Sequence, residues 1–508
     1  MSLDAISSLQ LGVGITAAAT AAAVLYNKRQ AALAFKNGIP LPPGPPAHWF
    51  WDNAMPKANI AHTLSDWIAE YGPVITLRQG SNVIIVIGRM DAADDIMEKE
   101  GQALVDRPAT IAARELLCNG MRIVLEPSGE RFRRMRKAVH THLQPRAAES
   151  YQGIQMENAK NVIIDLLNDP KNHQVHAQRY AASVILRVTY GKSTPTSNDD
   201  PEVIRVHQAL AHFQEAMRPG AFLVDRIPLL KHVPGYGKQL KEYYQHDLKL
   251  FRDQLGRVER DMSSNGGGPC FGRTLLEHTD EHKLSRDEMS FLAGTLFTAG
   301  SDTTAVGITT MIMAAACYPE AQARVQEELD MVVGRDRMPT FEDSSSLPQL
   351  HAFLSEALRW RPIAPFGFAH RATRDVIWRG QCIPAGATVF GCHWAISRDP
   401  EAFPDPEKFD PQRWLDQDGQ LRHGMHFYTY GFGRRVCPGQ HVANRSLYIN
   451  LALVLWAFRI AERPGAPIDT NAFSDGVISH AAPFEAEFIP RIDEKRLRAM
   501  MEDADVAL

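Results

Sequence analysis

The stretch Tyr428 to Leu447, YTYGFGRRVCPGQHVANRSL, sets one cysteine, Cys437, among Gly431, Gly433 and Gly439, Arg434 and Arg435, and Pro438. Gly431 and Gly433 free the backbone for a tight loop. A helical pattern runs from about Val442 through LYINLALVLWAF, so Cys437 falls at or just before a helix start. That end of a helix and the two arginines favour negative charge on the sulfur. A thiolate held at the end of a tight loop is suited to one axial bond to a metal, with the opposite face left open.

A second chemical stretch is AGSDTT, Ala299 to Thr304, inside the otherwise apolar run SRDEMSFLAGTLFTAGSDTTAVGITTMIMAAACYP. Ser285 followed by Glu288 forms a capping box and predicts a helix start, and Pro319 closes the pattern. Glycine in a helix interior costs about 1 kcal/mol relative to alanine. Small residues there let another group lie against the backbone, and a hydroxyl can divert a turn of hydrogen bonding. An acid beside such a gap could relay protons; the same stretch also fits a helix packed tightly on a neighbour.

A thiolate bound to haem iron pushes electron density toward oxygen and favours O–O cleavage. YGFGRRVCPG resembles the haem-binding loop of the cytochrome P450 family, F-x-x-G-x-R-x-C-x-G, with Gly433, Arg435, Cys437 and Gly439 matching and Tyr430 in place of the phenylalanine. Three further family signatures stand in order. SEALRW supplies Glu356 and Arg359 as E-x-x-R, three apart on one helix face. FDPQRW supplies Pro411 and Arg413, with Trp414 replacing a phenylalanine, and AGSDTT resembles the oxygen-activation helix. GERFRRMRKAVH is similar to the W-x-x-x-R helix, with Phe132 for the tryptophan and Arg136 matching.

The resemblance implies a haem b cofactor with Cys437 as axial iron ligand, and proton delivery assisted by Asp302 and Thr303. It implies propionate binding by Arg136 and Arg435, with His370 in FAHRATRD a further candidate, and a structural network of Glu356, Arg359 and Arg413. Arg133, Arg134 and Lys137 fit either a solvated helix face or a docking patch for an acidic reductase. The implied fold is the cytochrome P450 fold, mainly α with small β-sheets: a single large globular domain over 47–508, an N-terminal membrane anchor over 1–30 and a proline-rich hinge over 31–46. The implied activity is insertion of one oxygen atom of O2 into an apolar organic substrate. NADPH-cytochrome P450 reductase would supply electrons, with cytochrome b5 as a second donor. The anchor and the cysteine loop together resemble fungal members, often placed in secondary metabolism or xenobiotic breakdown. The pocket would draw on Leu296, Phe297 and Ala299, on Ile363 to Phe368, and on the turn DGVISH near Val477. A peroxide-rearranging haem-thiolate isomerase usually alters the acid–threonine pair, which is intact here; a haem sensor or carrier is the non-enzymatic rival.

The elements that must position these residues are legible in outline. VITLRQGSNVIIVIG shows two β-branched runs around a turn, a hairpin. HQALAHFQEAM and YPEAQARVQEELDMVVG carry helical periodicity, the second ending at Gly334, and strand-like pieces return at VIWRGQCIPAGATVFG. SSNGGGPC reads as a flexible insert. The 508 residues carry a net charge of −4, which offers no general basic field for nucleic acid. Six scattered cysteines form no C-x-x-C pair and no disulfide framework. Ala5 to Tyr26 is uncharged, long enough to span a bilayer and followed by Lys28 and Arg29, which predicts a single-pass anchor in the endoplasmic reticulum with the catalytic domain cytosolic. IPLPPGPP is stiff and extended, a spacer between anchor and body. HTDEH, His278 to His282, fits a zinc-peptidase pattern but lies in a charged segment just ahead of the Ser285 cap. Asn444-Arg-Ser446 fits a glycosylation acceptor but lies in a predicted cytosolic helix.

Overall fold

The computed structural model describes residues 34–47, 53, 55–56, 58–79, 82–192, 200–264 and 266–502, together with Thr20. The anchor expected over 1–30 falls, but for Thr20, outside the described residues. Among the described residues no helix is long and apolar enough to cross a membrane.

The principal helices, in chain order, are α1 (Ile60–Tyr71), α2 (Glu130–Leu143), α3 (Gln152–Asn168), α4 (His173–Tyr190), α5 (Pro201–Met217), α6 (Lys238–Ser263), α7 (Phe271–Glu277), α8 (Arg286–Cys317), α9 (Pro319–Val332), α10 (Pro348–Trp360), α11 (Gln440–Ala457) and α12 (Glu494–Glu502). The strands are short. β3 (Val74–Gln79) and β4 (Asn82–Ile87) form the hairpin expected from their β-branched runs. Parallel to β4 lies β8 (Thr388–Gly391), itself antiparallel to β5 (His370–Arg371), so the four-stranded order is β3-β4-β8-β5. Three two-stranded ladders complete the set: β1 (Phe35–Lys36) with β2 (Ile39–Pro40), β6 (Val376–Trp378) with β7 (Gln381–Ile383), and β9 (Phe458–Glu462) with β10 (Ala486–Pro490).

Helix α8 is the spine. Ser285 caps it through the predicted capping box with Glu288, and nearly all of Met289–Thr298 and Ala305–Ala316 is buried. Three of its glycines explain how so many neighbours reach it. A Cβ at Gly294 would fall 2.2 Å from the Phe251 ring of α6, one at Gly300 2.7 Å from Ile185 of α4, and one at Gly307 2.7 Å from Leu447 of α11. Interiors pack at crystal-like density, so those gaps are filled by side chains that a methyl group would displace. Gly300 is therefore explained by helix packing and not by room for a ligand.

The proline-rich segment is not a free spacer from Pro43 onward. Pro43 accepts a hydrogen bond from Thr76 N–H of β3 at 2.7 Å. A Cβ at Gly44 would meet the Thr76 carbonyl oxygen at 2.1 Å, and Asn53 donates to the carbonyls of Pro45 and Pro46. The chain is seated on the sheet edge, with glycine where the two backbones touch. At the other end of the body, Gly334 adopts φ +76° after α9 and its N–H bonds the Leu329 carbonyl, the helix stop anticipated for it.

Glu356 and Arg359 of α10 are fully buried and form a two-point ion pair, 2.8 Å at each contact. Arg413 joins at 3.1 Å and the Asp410 N–H at 2.9 Å. Trp414, where the family pattern has phenylalanine, adds an indole N–H to Glu356 Oε2 at 2.9 Å. Arg359 also reaches the carbonyls of Ser397, Pro406 and Lys408 and so ties the following loop to the helix. Removing one partner of a buried pair strands the others. Glu356→Ala is expected to lower stability by about 3–5 kcal/mol, and Trp414→Phe by about 1–3 kcal/mol. Urea unfolding midpoints check both; unchanged midpoints would make the network peripheral.

Candidate active site

The Cys437 loop is built as its glycines imply. Gly431 and Gly433 hold φ +79° and +50°, in the region where a side chain is strained. Gly433 donates its N–H to Glu98 Oε1 at 2.8 Å, and a Cβ there would press on the Met97 carbonyl at 3.0 Å. Gly439 has ordinary φ; a Cβ on it would stand 3.8 Å from Cys437 Sγ, so it keeps space beside the sulfur. Cys437 N–H bonds the Tyr430 carbonyl at 2.9 Å, closing the loop, and α11 begins three residues later. Tyr430 turns its hydroxyl to the Asn444 side chain of α11 and not to the sulfur. All six cysteines are free.

Burial pushes the Cys437 thiol up, while the Gly439 and Gln440 amides and the Arg136 guanidinium act in the opposite sense. The cation that faces this sulfur is thus Arg136. Arg434 is exposed, and Arg435 is turned elsewhere, against the sequence expectation for both. Arg435 donates to the carbonyls of Val105 at 2.6 Å and Glu126 at 2.8 Å, and its guanidinium lies 3.6 Å over the Phe132 ring. Phe132 thereby serves as a cation–π floor, where the family's tryptophan would offer an N–H.

A third arginine, missed in the sequence, completes the group. Arg107 is buried and donates only to the carbonyls of Phe368 and Ala369. Burial and the neighbouring Arg435 charge pull its pKa down to about 9; burial, opposed by Asp106 and aided by Arg136, brings Arg435 to about 10. Arg136 bonds the Val436 carbonyl at 2.7 Å. Arg107 Nε and Arg435 Nη1 are buried with no hydrogen-bond partner among the described residues. His370 is near both: its Nδ1 meets the Leu104 carbonyl at 2.7 Å, and burial with the Arg107 charge lowers its pKa to about 3. It belongs to the cluster as a neutral ring, not as the cation a propionate would seek. A buried arginine before Pro108 carries no mark in one sequence, because arginines are mostly exposed.

Asp302 and Thr303 sit where α8 meets a gap, since Ala299 is exposed in the middle of a buried helix. Thr303 donates its hydroxyl to the Ala299 carbonyl at 3.0 Å. Asp302 Oδ1 pairs with His480 Nε2 at 2.7 Å, and its Oδ2 is buried without a partner. His480 ends the DGVISH turn, which docks through Ser479 N–H on the Ile363 carbonyl at 2.9 Å. Of the residues expected to line the pocket, Phe297 is fully buried against Tyr190 and Leu296 is buried, while Ile363, Phe366, Phe368 and Val477 remain partly open, Phe366 stacked on Phe390 at 4.1 Å.

The discounted patterns resolve simply. Glu281 of HTDEH pairs with Lys137 at 2.8 Å, and His278 Nδ1 bonds the Thr274 carbonyl. Asn444 of the glycosylation pattern lies exposed on α11, a regular helix, where it accepts from the Tyr430 hydroxyl, and Ser446 is buried and accepts from Gln155 of α3 at 2.9 Å. Exposed Arg133 pairs with Glu130 at 2.8 Å.

One cysteine at a helix start, buried Arg107 and half-buried Arg435 with unsatisfied donors, and an acid–hydroxyl pair on a long central helix fit a haem-thiolate architecture. The comparisons agree. The cytochrome P450 family model matches residues 42–488. Cytochrome P450 monooxygenase 64 of Postia placenta is 50% identical over 91% of this chain and 93% of its own length. A cytochrome P450 monooxygenase of Armillaria gallica is 34% identical over 89% and 90%, and cytochrome P450 monooxygenase fogE of Aspergillus ruber 31% over 90% and 88%. The chain belongs to the cytochrome P450 family; it is a monooxygenase, and haem b is its cofactor. The residues fit that group: orphaned Arg107 and Arg435 donors suit two propionates, and Cys437 offers one sulfur. Arg107→Ala is expected to cut haem retained through purification severalfold with little loss of soluble protein, read as the ratio of Soret to protein absorbance. An unchanged ratio would remove Arg107 from the propionate site.

Proposed function

We propose that this protein is a membrane-anchored, reductase-driven monooxygenase of a small apolar substrate, with Cys437 as the axial ligand. The observation that carries this is the single loop sulfur facing half-buried Arg136, with half-buried Arg435 and buried Arg107 close by, all three bonding only main-chain carbonyls among the described residues. Bound haem supplies oxygen activation, one atom of O2 entering a C–H or C=C bond of the substrate and the other leaving as water. Arg107, Arg136 and Arg435 hold the propionates as cations, His370 supports them as a neutral ring, and Gly433 and Gly439 keep the loop tight and clear. Asp302 holds a proton near the gap at Ala299, and Thr303 releases its hydroxyl from the Ala299 carbonyl to pass it on.

Ile363, Phe368 and Val477 give the substrate side an apolar lining, which supports terpenoid, aromatic or fatty substrates. Electrons come from NADPH through a cytochrome P450 reductase, with cytochrome b5 as a second donor. The exposed Arg133 and Lys137 support that docking, since surface pairs such as theirs are worth little and exchange readily. The uncharged run over Ala5 to Tyr26 supports anchoring in the endoplasmic reticulum, and the fungal relatives support a role in secondary metabolism.

The test is incubation with NADPH, a fungal reductase and a panel of 7-ethoxycoumarin, a flavanone, dehydroabietic acid and lauric acid under isotopically heavy O2. Product carrying one heavy oxygen is expected for at least one compound, and none without NADPH. Product formed without NADPH, or with its oxygen from water, would overturn the proposal.

A further inference from the structure

His480 stands out as the one histidine of the turn at residues 474–480, and it closes that turn onto the central helix. Its Nε2 lies 2.7 Å from Asp302 Oδ1. The two side chains differ in access: Asp302 is about a tenth exposed and His480 about a third. The ring's other nitrogen, Nδ1, faces Ser474 Oγ at 3.4 Å, while Ser474 Oγ also accepts the His480 N–H at 2.9 Å. Asp302 Oδ2 is buried and bonds nothing. The pair thus runs from a water-accessible ring edge, through one carboxylate oxygen, to a second oxygen with spare capacity on the helix that carries Thr303.

The charged surroundings are sparse. Burial acts to lower the His480 pKa, but the hydrogen bond and the charge of Asp302 outweigh it, so the ring is held above its ordinary value of 6.5. The other titratable group facing the pair is His207 of α5. Burial lowers that ring's pKa, with Asp302 acting upward and His480 downward, so it stands by as a neutral imidazole. Asp475, on the same turn, is occupied by the Asn59 N–H at 2.6 Å.

We propose that His480 is the proton-loading and positioning residue for Asp302. The His480 Nε2–H bond breaks as an Oδ1–H bond forms on Asp302; the ring is left neutral with its proton on Nδ1, and once Asp302 has turned away Nε2 takes up a proton from solvent. No electrons move and no further reactant is needed. Loading also loosens the pair, because a protonated acid beside a neutral ring keeps a hydrogen bond but loses the charge attraction. Asp302 is then free to turn toward the gap at Ala299, and a return of charge to both groups draws the turn back onto α8. This inference rests on the reading of Asp302 as the relay acid.

The experiment compares wild type, His480→Gln and Asp302→Asn as holoenzymes, each normalised to its carbon-monoxide-binding haem. Glutamine keeps a donor toward Asp302 but cannot carry a charge or pass a proton. With NADPH, reductase and the panel compound that wild type oxidises, His480→Gln is expected to form about tenfold less product per NADPH. Hydrogen peroxide takes up the difference, the solvent deuterium isotope effect on NADPH oxidation rises, and the alkaline limb of the pH profile is lost. A readout independent of turnover is the melting temperature against pH. A raised folded-state pKa contributes stability that is present in full below about 6.5 and lost as pH rises through the folded value. The melting-temperature gap between wild type and His480→Gln is therefore expected to be widest near the acid end and to close on the alkaline side. Asp302→Asn, which removes the pair from the other side, erases the same dependence even should the glutamine variant fold poorly. Coupling lost in Asp302→Asn but intact in His480→Gln, with an unchanged isotope effect, overturns the role of His480 alone. Coupling intact in both removes the relay role of Asp302 and this inference with it.

Discussion

Guanidinium donors that the described chain leaves unused are the constraint on which the site depends. Taking a guanidinium group out of water is expensive unless hydrogen bonds and an opposite charge replace the lost solvent. The molecule handles buried arginines in two ways. Arg359 and Arg413 share Glu356 and reach five main-chain carbonyls, of Ser397, Pro404, Asp405, Pro406 and Lys408, while the Trp414 indole adds its N–H to the same carboxylate. Arg107 and Arg435 receive only carbonyl oxygens and keep idle donors. The first arrangement is finished within the chain; the second leaves donors that an anion from outside would use, and the two propionates of haem b would suit them. The same logic sets Arg136, whose reach extends to both the Val436 carbonyl and the charge on Cys437.

The fold serves this contrast through one helix. α8 admits α4, α6 and α11 to close contact because Gly294, Gly300 and Gly307 each lack the methyl group that would push a neighbour away. Tight packing on those faces fixes where Ala299, Asp302 and Thr303 stand. α11, held against α8 by Leu447, fixes the sulfur that precedes it. The turn carrying His480 then binds the helix from the side through a charge pair instead of apolar contact, which makes that attachment sensitive to protonation where the rest is not.

The hairpin, the capped central helix, the Gly334 stop and the Glu356–Arg359 pair were legible because each follows from local spacing or short-range chemistry. The cysteine loop was legible because its two strained glycines and its sulfur stand within seven residues. Other features depended on partners far along the chain. Gly300 fitted either another group lying on the backbone or a tightly packed helix until Ile185, more than a hundred residues earlier, decided for packing. Arg434 looked like a partner of the sulfur, but side-chain direction, not sequence adjacency, decided for Arg136. Arg107 and His480 had no local signal: one is an arginine whose burial only tertiary packing reveals, the other a histidine whose acid lies on another element. Phe297 was expected in the pocket wall from the family resemblance, yet its ring is fully buried against Tyr190.

The account stands or falls on the bond between Cys437 and porphyrin iron. The direct measurement is the absorbance spectrum of the reduced protein under carbon monoxide, taken for wild type and Cys437→Ala. Thiolate ligation predicts the strongly red-shifted Soret band in wild type and its complete loss in the variant. A wild type without that band, or a variant that keeps it, would contradict the assignment of this sulfur.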